Sequence, residues 1–146
     1  MQDHIYPKDT DYYPAYPAIK RVINRALIVD DDLNIRALVS FYLKKICDSE
    51  FAESGLQALE AVNRSDYDLI LMDIELGYGM NGVEASREIR QLSDCRDVPI
   101  IAMTSSVEPG IRKKCLDVGM DAFLSKPFYK HTLLDEIEHV IKENNK

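Results

Sequence analysis

Residues 68–82 read DLILMDIELGYGMNG, and the apolar run inside this stretch decides the fold. Leu69, Ile70, Leu71 and Met72 are unbroken by any polar residue, as suits a central parallel strand covered on both faces. The run ends on Asp73, where such a strand leaves the core. In open α/β sheets ligands bind beyond the carboxyl ends of the strands, so a carboxylate there is a candidate site residue. Taken alone it is equally a surface acid that opens a turn. What the other strands bring to the same edge decides between these readings.

Working outward, the chain from Arg25 onward alternates strand and helix five times, which implies a parallel sheet wrapped on both faces. Residues 26–29 form a compact strand followed by Asp30, Asp31 and Asp32. Behind it Ile35, Leu38, Val39, Tyr42, Leu43 and Ile46 recur at helical spacing. Residues 50–53 form a weaker strand, apolar at Phe51 and Ala52, as expected near a sheet edge, and residues 55–63 a helix with Leu56, Leu59 and Val62 inward. After the Asp73 strand, Asn81 and Gly82 introduce a helix with Ala85, Ile89 and Leu92 on one side. Residues 99–103 form a buried strand that delivers Thr104, Ser105 and Ser106 to its carboxyl end. Pro109 suits the first turn of the next helix, which faces the core with Ile111, Cys115 and Val118, and Gly119 suits its left-handed stop. Residues 121–125 form the fifth strand, Lys126-Pro127 follows at once, and the last helix turns Leu133, Leu134, Ile137, Val140 and Ile141 inward.

The chain's 146 residues and 46% hydrophobic content fit one domain with a real core. Residues 1–24 stand apart as an arm ahead of a domain spanning 25–146, because they hold half of the tyrosines (Tyr6, Tyr12, Tyr13, Tyr16) and half of the prolines (Pro7, Pro14, Pro17). A segment such as DYYPAYPAIK has no helical or strand period and reads as extended. It is either a dispensable extension or an arm whose tyrosines dock on this domain or on a partner. The net charge of −7 argues against a nucleic-acid partner, since clustered Lys and Arg carry that binding. No apolar stretch approaches the roughly 20 residues that span a bilayer, and the start lacks the apolar centre of a signal peptide, so no membrane role and a cytoplasmic location are expected. Cys47, Cys95 and Cys115 are odd in number and lack metal-ligand spacing, so they read as reduced thiols.

Right-handed crossovers leave few ways to wind five βα units, and the flavodoxin-like order 2-1-3-4-5 is a common one. It places the Asp73 strand in the middle, between strands that end in Asp30 and Asp31 on one side and Thr104 on the other, with Lys126 one strand further on. Three carboxylates that repel one another suit a hard cation with oxygen ligands, Mg2+ or Mn2+. Mg2+ holds few protein oxygens and shares its remaining positions with phosphate, so a phosphoryl group is the natural guest. Asp73 is then positioned to act as a carboxylate nucleophile towards phosphorus, with Lys126 and Thr104 stabilising charge on the phosphoryl oxygens. Each element has a plain alternative: Asp32 as a helix N-cap, Thr104 as a cap for the next helix, Lys126 as a surface lysine. Their arrival in order at four strand ends is what favours a site.

These motifs, ALIVDDD (26–32), LILMD (69–73), IIAMTSS (100–106) and DAFLSKPF (121–128), resemble those of the response-regulator receiver domains of two-component signalling, over residues 26–144. The resemblance implies Asp30, Asp31 and Asp73 as metal ligands together with the Glu75 backbone carbonyl, Asp73 as phosphoacceptor, and Thr104 and Lys126 as phosphoryl contacts. It also implies a cis Lys126-Pro127 peptide and a switch pair, Thr104 and Phe123, although Phe123 is equally well read as a core residue of the fifth strand. The face formed by the fourth helix, fifth strand and fifth helix would then change on phosphorylation and offer a homodimer contact. One departure is the loop Leu76-Gly77-Tyr78-Gly79-Met80-Asn81-Gly82. It lacks the family's usual proline and is longer, a form similar to receivers of hybrid histidine kinases.

The function so implied is a phosphorylation-controlled signalling module. It takes its phosphoryl group from a histidine kinase or histidine phosphotransfer protein, loses it slowly by self-hydrolysis, and acts through an unidentified downstream protein. It is expected as a free-standing regulator or as the receiver end of a larger sensor kinase, with Met1 favouring the former. The alternatives are a docking-only receiver and an aspartyl-nucleophile phosphatase similar to the haloacid-dehalogenase group. Glu75 is a poor match for the second acid of that group. A flavodoxin-like binder is disfavoured, because acidic strand ends repel a flavin phosphate.

Overall fold

A computed structural model describes Ile19 and residues 22–144. Among them five parallel strands pair in the order β2-β1-β3-β4-β5. They are β1 (Arg25–Val29), β2 (Asp48–Ala52), β3 (Leu69–Asp73), β4 (Ile100–Thr104) and β5 (Ala122–Ser125), alternating with helices α1 (Leu33–Leu43), α2 (Gly55–Arg64), α3 (Gly82–Gln91), α4 (Ile111–Asp117) and α5 (Lys130–Asn144). This is the expected flavodoxin-like doubly wound fold.

The strands are apolar at consecutive positions because both faces of the sheet are covered. Side chains alternate across a strand. Ala26, Ile28, Leu69, Leu71, Ile101, Met103 and Leu124 accordingly share one cluster with Val39 and Leu43 of α1 and with Leu133, Leu134, Ile137, Val140 and Ile141 of α5. Leu27, Val29, Ile70, Met72, Ile100 and Ala102 form the other, with Ala58, Ala61 and Val62 of α2, Ala85 and Ile89 of α3, and Cys115 of α4. The three cysteines are free thiols. Burial pushes the Cys47 thiol up to about 12, with the Asp48 and Asp68 charges adding to the rise.

Several local expectations are corrected. Leu56, expected inward, is 61% exposed, and the buried face of α2 is Gly55, Ala58, Ala61 and Val62, whose small side chains let the helix lie close to the sheet and to the loop carrying Met80. Leu38, also counted with the inward face of α1, is 39% exposed and lies at its margin. Pro109 precedes its helix instead of opening it: the chain turns at Gly110, with φ of +85°, and α4 starts at Ile111. Gly119 does supply the left-handed stop, at φ of +97°.

The Tyr and Pro positions of the arm lie outside the described residues, as does the docking expected of them. The Ile23 N–H donates to the Ile19 carbonyl at 2.8 Å, and both isoleucines are fully buried in the cluster with Leu43 and Ile141. Next to them Asp68 joins the chain ahead of β1, its Oδ2 accepting from the Asn24 and Arg25 amides at 2.9 and 3.0 Å.

Two outcomes follow from this packing. Ile23→Ala leaves a cavity against α1 and α5 and is expected to lower the unfolding free energy by about 3 kcal/mol, read by urea denaturation. Gly82→Ala would place a Cβ 2.1 Å from the Asp73 carbonyl oxygen and 2.8 Å from the Ile74 Cα. These are backbone atoms that cannot swing aside, so a loss of about 3 kcal/mol or more is expected in the same assay.

Candidate functional site

The carboxyl ends of β1, β3, β4 and β5 bring together the residues expected from the sequence. Asp30 follows β1, Asp73 ends β3, Thr104 ends β4 and Lys126 follows β5. Asp30, Asp73 and Thr104 are buried, whereas Asp31 is exposed at the mouth of the cleft. Asp30, Asp31 and Asp73 each present a carboxylate oxygen, and these atoms lie within 4.8 Å of one another. Such an all-oxygen set suits a hard divalent cation, and its mutual repulsion is the electrostatic reason to hold one.

Lys126 reaches into the cleft from beside the cis Lys126-Pro127 bond. Its Nζ lies 2.8 Å from Asp30 Oδ2 and 3.2 Å from Asp73 Oδ1. Burial pushes the Asp73 carboxyl up to about 7, the Asp30 charge adding to the rise and Lys126 opposing it. For Lys126 itself burial works against the ammonium, but the hydrogen bond it donates to Asp30 and the charges of both carboxylates outweigh it and hold the group above the ordinary lysine range. Asp73 and Lys126 are thus tied to each other's charge.

Backbone groups orient the acids. The Glu75 amide donates to Asp73 Oδ1 at 3.1 Å, the Asp32 amide to Asp30 Oδ1 at 2.9 Å, and the Gly77 amide to Asp31 Oδ2 at 3.0 Å. The lengthened loop therefore has a defined part in the cleft. Gly77 sits so close to Asp31 that a Cβ there would come within 2.9 Å of its carboxylate. Leu76 is buried, Tyr78 is 92% exposed, and Asn81 closes the loop with a capping box to Glu84. Asp32 is the N-cap of α1, accepting from the Asn34 amide at 2.8 Å.

Thr104 does not cap a helix: its Oγ1 accepts from the Ser106 amide at 2.9 Å within the loop before α4. Phe123 is half-buried beside the α2, α3 and α4 cluster, and the Arg112 guanidinium of α4 lies 5.9 Å from its ring centroid.

Two contacts carry no sequence signal. Buried Arg36 donates from Nη1 to the Asp30 carbonyl at 2.8 Å, pinning the end of β1 from one turn into α1. The Glu75 carboxylate accepts from the Thr104 hydroxyl and, at 3.1 Å, from the Ser105 amide. The sequence places Glu75 at the site only through its backbone carbonyl, as the resemblance implies.

Comparison with known proteins agrees with this arrangement. The family profile described as the response regulator receiver domain matches residues 26–138. A CpxR homolog of Haemophilus influenzae, described as a transcriptional regulatory protein, is 34% identical over 84% of this chain and 52% of its own length. Hybrid signal transduction histidine kinase L of Dictyostelium discoideum is 35% identical over 86% of this chain and 8% of its own length. The chain therefore spans about half of the first relative and a small part of the second. Among solved structures, chemotaxis protein CheY4 of Vibrio cholerae aligns with a TM-score of 0.76 and 30% identity, covering 81% of this chain and 98% of its own. The receiver domain of sensor histidine kinase PA1611 from Pseudomonas aeruginosa, solved with a magnesium ion coordinated in its active-site cleft, aligns with a TM-score of 0.74 and 33% identity over 82% of this chain and 98% of its own. With the profile spanning most of the chain and the same fold and acidic cleft in place, the chain belongs to the response-regulator receiver domain family of two-component signalling.

Proposed function

We propose that this chain is a phosphorylation-controlled signalling module whose phosphoacceptor is Asp73. The observation that carries this reading is the buried Asp73 carboxylate beside Asp30, Asp31 and the Lys126 ammonium, with the Thr104 hydroxyl ending the adjacent strand. A phosphohistidine of a histidine kinase or phosphotransfer protein is the donor. An Asp73 oxygen forms the new bond to phosphorus as the phosphorus–nitrogen bond breaks, and the departing imidazole keeps the electron pair and takes up a proton.

The residues of the chain divide the work. Lys126 neutralises developing charge on the phosphoryl oxygens, and Thr104 donates a hydrogen bond to one of them. The donor set fits Mg2+, with Mn2+ as the alternative. Asp30, Asp31, Asp73 and the Glu75 backbone carbonyl would hold it, and when bound it would offset the repulsion between carboxylates and phosphoryl oxygens. Members of this family are phosphoacceptor switches rather than turnover enzymes. Slow hydrolysis of the acyl phosphate by the chain itself is part of the proposal.

Thr104 and Phe123 form the switch in this reading. Movement of Thr104 towards the phosphoryl group opens space for Phe123 to turn inward, out of reach of Arg112. The phosphoryl group shifts this equilibrium only as far as it interacts differently with the two states. The α4-β5-α5 face, where Val107, Leu116 and Tyr129 are exposed, is the surface that changes, and it offers contacts to a downstream protein or a second copy. Relatives include both a regulator and hybrid kinases, so the chain serves either as a regulator or as a receiver within a kinase. A cytoplasmic location and the division into arm 1–24 and domain 25–146 belong to the same proposal. Among the described residues no helix is long and apolar enough to cross a membrane.

Intact-mass analysis after incubation with Mg2+ and acetyl phosphate tests this directly. One added phosphoryl group is expected that requires Mg2+, is lost at alkaline pH, and is absent in Asp73→Asn. No adduct under any of these conditions would leave a docking-only receiver as the surviving reading. Replacing Lys126 tests the electrostatics separately. Lys126→Met keeps most of the side-chain volume but leaves Asp30 and Asp73 without their cation, so the metal-free unfolding free energy is expected to fall by about 3 kcal/mol in urea. The same variant is expected to bind Mg2+ more tightly in calorimetric titration, since a competing cation has gone.

A further inference from the structure

The Thr104 hydroxyl has one hydrogen. In this structure it goes to Glu75 Oε2, while the oxygen accepts from the Ser106 amide at 2.9 Å. The other Glu75 oxygen, Oε1, accepts from the Ser105 amide at 3.1 Å and the Ser105 hydroxyl at 3.4 Å. Both carboxylate oxygens of a residue in the loop after β3 are thus committed to the loop after β4, although Glu75 itself is exposed. The bonds are charge-assisted, and one end of the principal bond, Thr104, is buried.

We infer that the Glu75 side chain is a latch that holds Thr104 and the loop after β4 in the resting position and competes with the phosphoryl group for the Thr104 hydrogen. The inference rests on the proposed function, because it assigns a competitor to the hydroxyl that contacts the phosphoryl group there. A single hydrogen cannot serve two acceptors at full strength, so Thr104 engages the phosphoryl group only as Glu75 lets go. Glu75 acts through Thr104 and is a positioning residue. Its carboxylate limits how readily the phosphorylated arrangement is reached, and it does so independently of the backbone carbonyl of the same residue. Loss of the latch therefore makes the switch easier to throw without removing a group that contacts the phosphoryl oxygens.

The test uses the full chain and Glu75→Asp, which keeps the charge but withdraws the carboxylate by one methylene from Thr104 and Ser105. Beryllofluoride, a phosphoryl mimic, is titrated in saturating Mg2+ and followed by fluorine NMR. The expected result is apparent binding about tenfold tighter than in the parent, which corresponds to the loss of one charge-assisted hydrogen bond from the competing state. In a Thr104→Ala background the same Glu75→Asp change is expected to alter binding by less than about twofold. Unchanged binding in the Thr104 chain would overturn the latch. So would an equal gain in the Thr104→Ala chain, which would mean that Glu75 acts through the local field and not through the hydroxyl. Amide hydrogen exchange at Ser105 and Ser106, measured without metal or mimic, is a second reading that needs no chemistry at Asp73. Exchange about tenfold faster in Glu75→Asp supports the latch, and exchange equal to the parent overturns it. A parent chain that binds no beryllofluoride at all counts against the proposed function, and the exchange measurement then still decides the latch.

Discussion

Two acids, Asp30 and Asp73, are buried at the end of an apolar sheet with the single ammonium of Lys126 between them. Burying like charges is costly unless each is paired and hydrogen-bonded. The surroundings meet that demand piece by piece. Amides of Asp32 and Glu75 point at the two carboxylates, and the β5 strand end delivers Lys126 across the width of three strands. The arrangement is nonetheless unbalanced, with Asp73 held near neutrality in its affinity for a proton. A carboxylate that is desolvated, crowded by another acid and stabilised by one lysine has an electrostatic reason to hold a cation.

The same constraint explains why the fold is built as it is. β3 is covered on both faces and ends in a carboxylate that is 2% exposed, at the sheet edge where open α/β folds bind ligands. The two core clusters, one under α1 and α5 and one under α2, α3 and α4, hold the strand ends in register. The pairing of Asp73 with Met103 sets Thr104 one residue further along the adjacent strand. Glu75 ties the loop after β3 to the loop after β4, and the Arg112 guanidinium sits over the Phe123 ring.

Much of this was legible along the chain. Apolar runs of strand length, helical periods and glycine stops are local signals, and they located the strands to within a residue or two and named Asp30, Asp31, Asp73, Thr104 and Lys126 as neighbours. Periodicity failed where side-chain size, rather than polarity, determined packing. Leu56 was expected inward on hydrophobicity, yet α2 approaches the sheet through Gly55, Ala58 and Ala61, which leaves the larger leucine outside. Ile19 and Ile23 lie in a stretch with no repeating pattern, and their burial depends on contacts with α1 and α5 that lie far along the chain.

The order of elements and the identity of the residue that leaves each strand follow from patterns only a few residues long, so both can be read along the chain. Which polar atoms meet is fixed only once the chain has folded. Lys126 bridging two acids, Arg36 holding the Asp30 carbonyl, Gly77 against Asp31 and the Glu75 carboxylate on Thr104 all depend on strand register, loop path and side-chain direction. Those are set by contacts between segments far apart in the chain. A hydrogen bond forms or fails over a few tenths of an ångström, a precision that pairing and packing supply and that residue spacing along the chain does not carry.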